Sequence, residues 1–241
     1  MKRRNQNQKF SFPFFAGSPH TPRRNRNCKE IFGFGIATEG SVRGASVIRQ
    51  NPADFARNTF ELRPIHTANV VEIEKVISIL KNGGVGVLPT DTLYGLVGSA
   101  LQPETVERII ELKNRPEDKK FIILIGREKD LELFGVHLTD FQQEAIKKYW
   151  PGPVSLILST KDGNLAFRLP AKEDLRELLQ QTGPLIAPSA NPSGASPATS
   201  IEEAKKYFGD KVDFYIDAGE LTGQPSKLID LTGEGEVIIR P

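Results

Sequence analysis

The 241-residue chain is poor in the groups that carry out covalent and metal chemistry. It has one cysteine, Cys28, one methionine and three histidines. A lone thiol rules out an internal disulfide framework and a cysteine-built zinc site. His20, His66 and His137 are scattered without metal-ligand spacing. No window approaches eighteen uninterrupted apolar residues, so the sequence offers no membrane-spanning helix. No G-x-x-x-x-G-K-[ST] occurs, since "GQPSK" at 223–227 lacks the spacing of a phosphate-binding P-loop. "PSANPSG" at 188–194 lacks the strained G-x-S-x-G of a nucleophile elbow. "GFG" at 33–35 has no strand before it and no helix pattern after it, so it is no dinucleotide loop. What remains is chemistry by positioning and charge stabilisation, as in phosphoryl or nucleotidyl transfer.

The composition, 38% hydrophobic and 26% charged, is that of an ordinary globular chain, and its balance suits a reducing, cytoplasmic compartment. The net charge of +2 conceals an asymmetry. Residues 1–60 hold eleven Lys/Arg against three Asp/Glu, whereas residues 61–241 hold twenty-one against twenty-seven. The first sixty residues show no sustained period of 3.6 or 2, and they divide from the rest as a basic extension. Three readings fit them: a disordered arm or an upstream stretch outside the true reading frame, an Arg-rich transit peptide, or a cationic arm for nucleic acid.

From Pro64 the pattern becomes regular. Val70, Ile73, Ile77 and Leu80 recur at helical spacing after possible caps at Thr67 or Asn69, and Gly83-Gly84 ends that helix. "VGVL" at 85–88 reads as a strand, and "PETVERIIELKN" as a helix with Pro103 in its first turn. "FIILI" at 121–125 is a continuous apolar strand of the kind buried on both faces. Helical patterns follow at 127–134 and 139–149, strands at 154–159 and 165–168, and a helix at 172–181. A strand at 185–188 and a helix at 200–207 lead to three short strands, "FYI", "KLIDL" and "VIIR". The alternation predicts one α/β domain over 61–241, built on a large mixed sheet.

Polar groups collect where these strands end, which is where open α/β sheets bind ligands. "VGVL" runs into Pro89-Thr90-Asp91-Thr92, and "LIA" into the "PSANPSG" loop. "KLIDL" is entered through Gly223, Ser226 and Lys227, and "VIIR" ends at Arg240. Lys113 and Arg115 add cations near a helix end. Hydroxyls, amides and cations with few carboxylates describe an anion pocket, most naturally for phosphate. Taken singly, each feature also reads as turn chemistry or as a partner of the helix dipole.

"GGVGVLPTDTLYGLVG", "IIELKNRPEDKKFIILI", "WPGPVSLIL", "AFRLP", "LIAPSANPSG", "PSKLIDL" and "VIIRP" stand in the order and spacing of one known family. Over about residues 62–241 the chain resembles the YrdC-like family of threonylcarbamoyl-AMP synthases. The resemblance implies a twisted open mixed sheet flanked by helices around a deep basic cavity. It implies condensation of L-threonine, bicarbonate and ATP into threonylcarbamoyl-adenylate, with release of pyrophosphate and Mg²⁺ accompanying the ATP. A tRNA-threonylcarbamoyl transferase complex would then take the product to the adenosine beside the anticodon. By motif, Thr90 resembles the hydroxyl that holds threonine, and Lys113 and Arg115 the cations on the ATP phosphates, with Lys119 nearby. Ser155, Arg168, Ser189, Asn191, Thr199, Ser226 and Arg240 match further substrate contacts.

Leu124 stands where family members often carry histidine, which leaves that substrate contact open. The chain ends just after Arg240, as expected of the short form without a further C-terminal domain. Two other classes remain: a non-catalytic RNA-binding module, relying on the basic extension, and a carbamoyl-adenylate former acting in metallocentre maturation.

Overall fold

The computed structural model describes residues 59–114 and 121–241. Arg115, Lys119 and all but the last two residues of the basic extension lie outside the described residues. The boundary drawn at 60/61 falls on the first strand, because Phe60–Leu62 (β1) already pairs with the sheet.

Five α-helices are described: Val70–Lys81 (α1), Pro103–Lys113 (α2), Asp140–Tyr149 (α3), Glu173–Thr182 (α4) and Ile201–Phe208 (α5). The further strands are Gly86–Pro89 (β2), Tyr94–Ser99 (β3), Ile122–Leu124 (β4), Val154–Thr160 (β5), Gly163–Arg168 (β6), Leu185–Ile186 (β7), Phe214–Ile216 (β8), Lys227–Asp230 (β9) and Val237–Arg240 (β10). Local signals set the helix ends. Asn69 Oδ1 accepts from the Glu72 amide at 3.0 Å while the Glu72 carboxylate accepts from the Asn69 amide at 2.9 Å, a reciprocal cap. Thr139 and Gln142 repeat it at α3. Among the described residues no helix is long and apolar enough to cross a membrane.

The strands form one mixed sheet in the order β1-β8-β2-β3-β7-β4-β6-β5-β9-β10. Alternation along each strand sends neighbours to opposite faces. Val87, Leu96 and Ile123 pack with Val106 and Ile109 of α2, Ile146 of α3 and Phe208 of α5. Leu88, Val97 and Leu124 pack on the other side with Leu80 of α1 and Leu179 of α4. Leu124, placed where family members often carry histidine, is therefore a fully buried core residue.

Two differences from the sequence reading have clear causes. The pattern at 127–134 is a 3₁₀ segment, Glu128–Phe134, stopped by Gly135 at φ 65°. "YGLVGS" is a strand that the sequence reading passes over, because its glycines dilute the apolar signal. Gly98 is needed for packing: a Cβ there would meet Thr105 Cγ2 of α2 at 2.5 Å.

Candidate functional site

The second half of the sheet exposes one face of its own. In β6, Leu165 and Phe167 face the core, so Asn164, Ala166 and Arg168 face away from it. Ile122 of β4 and Ile157 of β5 are the cross-strand partners of Ala166. Ser155 of β5 pairs in register with Leu228 of β9. Together Ile122, Ala166, Ile157 and Leu228 floor a cavity of about 330 Å³, a size suited to a small-molecule ligand. Its walls come from the strand exits: Thr90 and Thr92 after β2, Ser189 after β7, Ser226 before β9, and Arg168 and Arg240 at the ends of β6 and β10.

The turn after β2 is an ordered chain of hydroxyls. Thr90 Oγ1 donates to the Leu93 carbonyl at 2.7 Å and accepts the Thr92 and Leu93 amides, each at 3.2 Å. It also lies 3.0 Å from Thr92 Oγ1, a pair in which either hydroxyl can donate. Thr92 in turn accepts from Arg168 Nη1 at 3.1 Å. The Arg168 Nη2 stands 3.1 Å from Asp91 Oδ1, with side chains 4% and 7% exposed. Burial pulls the Arg168 guanidinium below its usual pKa; Asp91 opposes that shift and Arg240 adds to it. Arg240 is lowered by burial as well.

Arg240 ties down the opposite wall. Its Nε donates to the Ser226 carbonyl at 2.8 Å and its Nη2 to Ser226 Oγ at 3.1 Å, while Ser155 Oγ lies 2.9 Å behind Ser226 Oγ. The third wall is the loop opened by Ser189. Lys113, 2% exposed, donates from the end of α2 to the Ser189 and Asn191 carbonyls, both at 2.6 Å. Ser189 Oγ donates to Asn191 Oδ1 at 2.6 Å, and Asn191 Nδ2 reaches the Ala195 carbonyl at 2.7 Å. The loop is locked to β3 through the Ala190 amide on the Tyr94 carbonyl at 2.8 Å.

A strap over residues 217–226 closes the side above the Thr90–Leu93 turn. The Tyr94 hydroxyl donates to the Gly219 carbonyl at 2.7 Å and accepts the Ala218 amide at 2.9 Å. Burial raises the pKa of Tyr94 to about 12. Further along, Gly223 passes so close that a Cβ would lie 1.9 Å from the Thr92 carbonyl oxygen. Glycine is required there.

Of the sequence-derived site residues, Thr90, Arg168, Ser189, Ser226 and Arg240 line the cavity. Ser155, Lys113 and Asn191 stand behind that wall and hold it. Thr199 is drawn to the start of α5, where its amide and hydroxyl donate to Glu203 at 2.8 and 3.1 Å. Asp91 and Thr92 are read in the sequence as part of a polar strand exit but without a substrate role of their own, and Tyr94, in the same "PTDTLY", is not read as a site residue. Among the described residues no group of three His, Cys, Asp or Glu side chains could hold a metal ion.

Residues 78–241 match the family Sua5_yciO_yrdC, described as "Telomere recombination". A putative threonylcarbamoyl-AMP synthase of Mycobacterium tuberculosis is 32% identical over 180 residues, 70% of this chain and 83% of that protein. The threonylcarbamoyl-AMP synthase of Pyrococcus abyssi is 34% identical over 182 residues, and the match spans only 54% of its length. The crystal structure of P. abyssi Sua5 complexed with L-threonine superposes with a TM-score of 0.70 at 32% identity, covering 76% of this chain and 57% of that one. Escherichia coli YciO, at 24% identity and a TM-score of 0.67 over 76% of this chain and 94% of that one, shares the fold.

Proposed function

Because the chain belongs to the Sua5/YciO/YrdC family, we propose that it is a threonylcarbamoyl-AMP synthase. It condenses L-threonine, bicarbonate and ATP into threonylcarbamoyl-adenylate and pyrophosphate, for transfer to tRNA by a threonylcarbamoyl transferase complex. The observation that carries this reading is the cavity, where an apolar floor meets the buried Arg168, the half-buried Arg240 and a ring of hydroxyls at the strand ends. An RNA-binding role is not favoured, since the polar groups converge inside a small-molecule cavity.

The chemistry follows from the arrangement. The threonine amine and bicarbonate give, with loss of one water, a carbamate that is short-lived in solution, and a walled cavity protects it until it meets ATP. A carbamate oxygen attacks the α-phosphorus, the bond to the β-phosphate oxygen breaks, and pyrophosphate leaves. Charge builds on the leaving group, so cations fixed beforehand lower the barrier. Arg115, with Lys119 nearby, supplies the phosphate cation of this scheme, Lys113 acts from behind by holding the loop, and Mg²⁺ enters as part of the ATP substrate. Ser189 and Asn191 present the loop that Lys113 holds, and Ser226 with Ser155 and Arg240 forms the facing wall.

Thr90 frames the threonine side. Its hydroxyl is engaged within the turn, so it acts by fixing Thr92 on the cavity wall. A site that hydrogen-bonds a substrate hydroxyl separates threonine from valine far better than an apolar pocket does. The protein works in the cytoplasm, where tRNA and ATP are at hand.

Incubation with ATP, L-threonine and labelled bicarbonate, followed by mass analysis, tests the reading. A labelled threonylcarbamoyl-adenylate and matching pyrophosphate are expected. Pyrophosphate without the adenylate, or neither product, would refute it.

A further inference from the structure

Asp91 is absent from the cavity wall, yet it is the carboxylate packed against the arginine that is on it. Its Oδ1 lies 3.1 Å from Arg168 Nη2, and its Oδ2 accepts the Ala171 amide at 3.3 Å. It is therefore fixed between the turn after β2 and the segment that follows β6. The guanidinium it faces carries five N–H donors. One of them, on Nη1, makes an aligned bond, to Thr92. The Nε is buried without an acceptor among the described residues, and Asp91 Oδ1 is charge-paired without an aligned hydrogen bond. Arg168 is thus clamped from behind by a charge and a hydroxyl, with donor capacity unspent.

Arginine and carboxylate together leave Arg168 neutral as a pair, and Arg240 adds a single positive charge. One net charge matches a monoanion. A triphosphate needs more positive charge than this cluster supplies. Without Asp91 two arginines would face a low-dielectric cavity with no counter-charge, and the buried one would swing away or lose its orientation.

We propose that Asp91 is a positioning residue: it holds the Arg168 guanidinium against the cavity so that its remaining donors meet a carboxylate-type monoanion, the amino-acid carboxylate or bicarbonate. This rests on the proposed synthase reading and adds to it the residue that orients one of its anion contacts.

A double-mutant cycle tests it, with Asp91→Asn, Arg168→Gln and the two combined. Each protein is assayed for adenylate formation, and for binding of L-threonine, bicarbonate and ATP separately by calorimetry. Asp91→Asn should weaken one carboxylate ligand at least about tenfold and leave ATP within about twofold. Whichever of threonine or bicarbonate weakens identifies the anion. In the Arg168→Gln background Asp91→Asn should add less than about twofold, because a residue acting through Arg168 has nothing left to orient. A second full loss in the double variant, or an equal loss for ATP, would overturn the proposal. Should Asp91→Asn fail to fold, the double variant restores a neutral pair, and comparing it with Arg168→Gln alone still decides whether Asp91 acts through Arg168. A wild-type protein that binds threonine or bicarbonate but makes no adenylate would refute the synthase reading and leave the Asp91 cycle readable by calorimetry.

Discussion

Replacing Gly223 by alanine tests how closely the strap must lie on the site. The new methyl would sit 1.9 Å from the Thr92 carbonyl oxygen and 2.9 Å from its carbonyl carbon. Real contacts of this kind stay above 3.0 Å, so strap and turn must separate by at least 1.1 Å, the difference between 3.0 and 1.9 Å. Two anchors oppose that retreat. The Leu221 amide is bonded to the Thr199 carbonyl at 2.8 Å, and the Ser226 carbonyl is held by Arg240 Nε at 2.8 Å. Either Ser226 moves, or Thr92 moves and takes the Arg168 contact with it. Overpacking of this size costs about 1–3 kcal/mol, and in a chain of this length about 2–4 °C of melting temperature per kcal/mol. A displacement near 1 Å at reacting groups costs up to ~100-fold in rate. We expect kcat/KM for threonine to fall about 10- to 100-fold, with a melting point lowered by several degrees. Steady-state kinetics and calorimetry measure both. A variant within twofold of wild type in kcat/KM would show that the strap is free to move and that the close approach is unimportant.

Lys113→Met keeps the chain length but leaves the Ser189 and Asn191 carbonyls without their buried donor. It should cost about 2–4 kcal/mol and raise the KM for ATP; an unchanged melting curve together with unchanged pyrophosphate release would refute both roles. Asp213 accepts Val85 N and Arg108 Nη1, both at 2.7 Å, and none of the three lines the cavity. Asp213→Asn should lower stability by about 1–3 kcal/mol, discounted because the Arg108 side chain is 29% exposed, and leave KM values alone; a kinetic defect without destabilisation would contradict this. Tyr94 ionises near pH 10 when unfolded and about 12 in the fold, so the neutral phenol favours the fold below pH 10 and that contribution fades as pH rises toward 12. Tyr94→Phe should flatten the alkaline stability loss across that window; an identical slope would assign it to other groups.

Much of this molecule can be read from its residues, and the exceptions have physical causes. The helices are legible because apolar spacing and caps such as Asn69 agree. β3 is hidden because Gly95 and Gly98, the latter demanded by close packing, remove the side chains that mark a strand. β1 is three residues long, too short to show a period. In the site, Ser226 and Arg240 stand out as polar groups at strand ends, and Arg168 is placed by the family resemblance alone. Asp91 and Thr92 lie in the same turn, but their partner Arg168 is 76 residues from Thr92, a pairing that tertiary structure alone brings about. Thr90 is legible as a site residue. That its hydroxyl is spent inside the turn is not, because the direction of a hydrogen bond depends on geometry.

Among the described residues the sheet's ladder passes from one half to the other through β7, two residues long, which pairs with Gly98 and Ser99 on one side and with Ile123 and Leu124 on the other. The cavity straddles this narrow seam, with the Thr90–Leu93 turn on one bank and Arg168, Ser226 and Arg240 on the other. A molecule that bonds to both banks is therefore a strut across this seam of the sheet. Its binding energy adds to the cohesion of the whole domain, rising with the logarithm of ligand concentration. Occupancy of the site can then be followed by heating the protein, with no chemical readout, as an upward shift of the melting point that grows with each substrate bridging the seam.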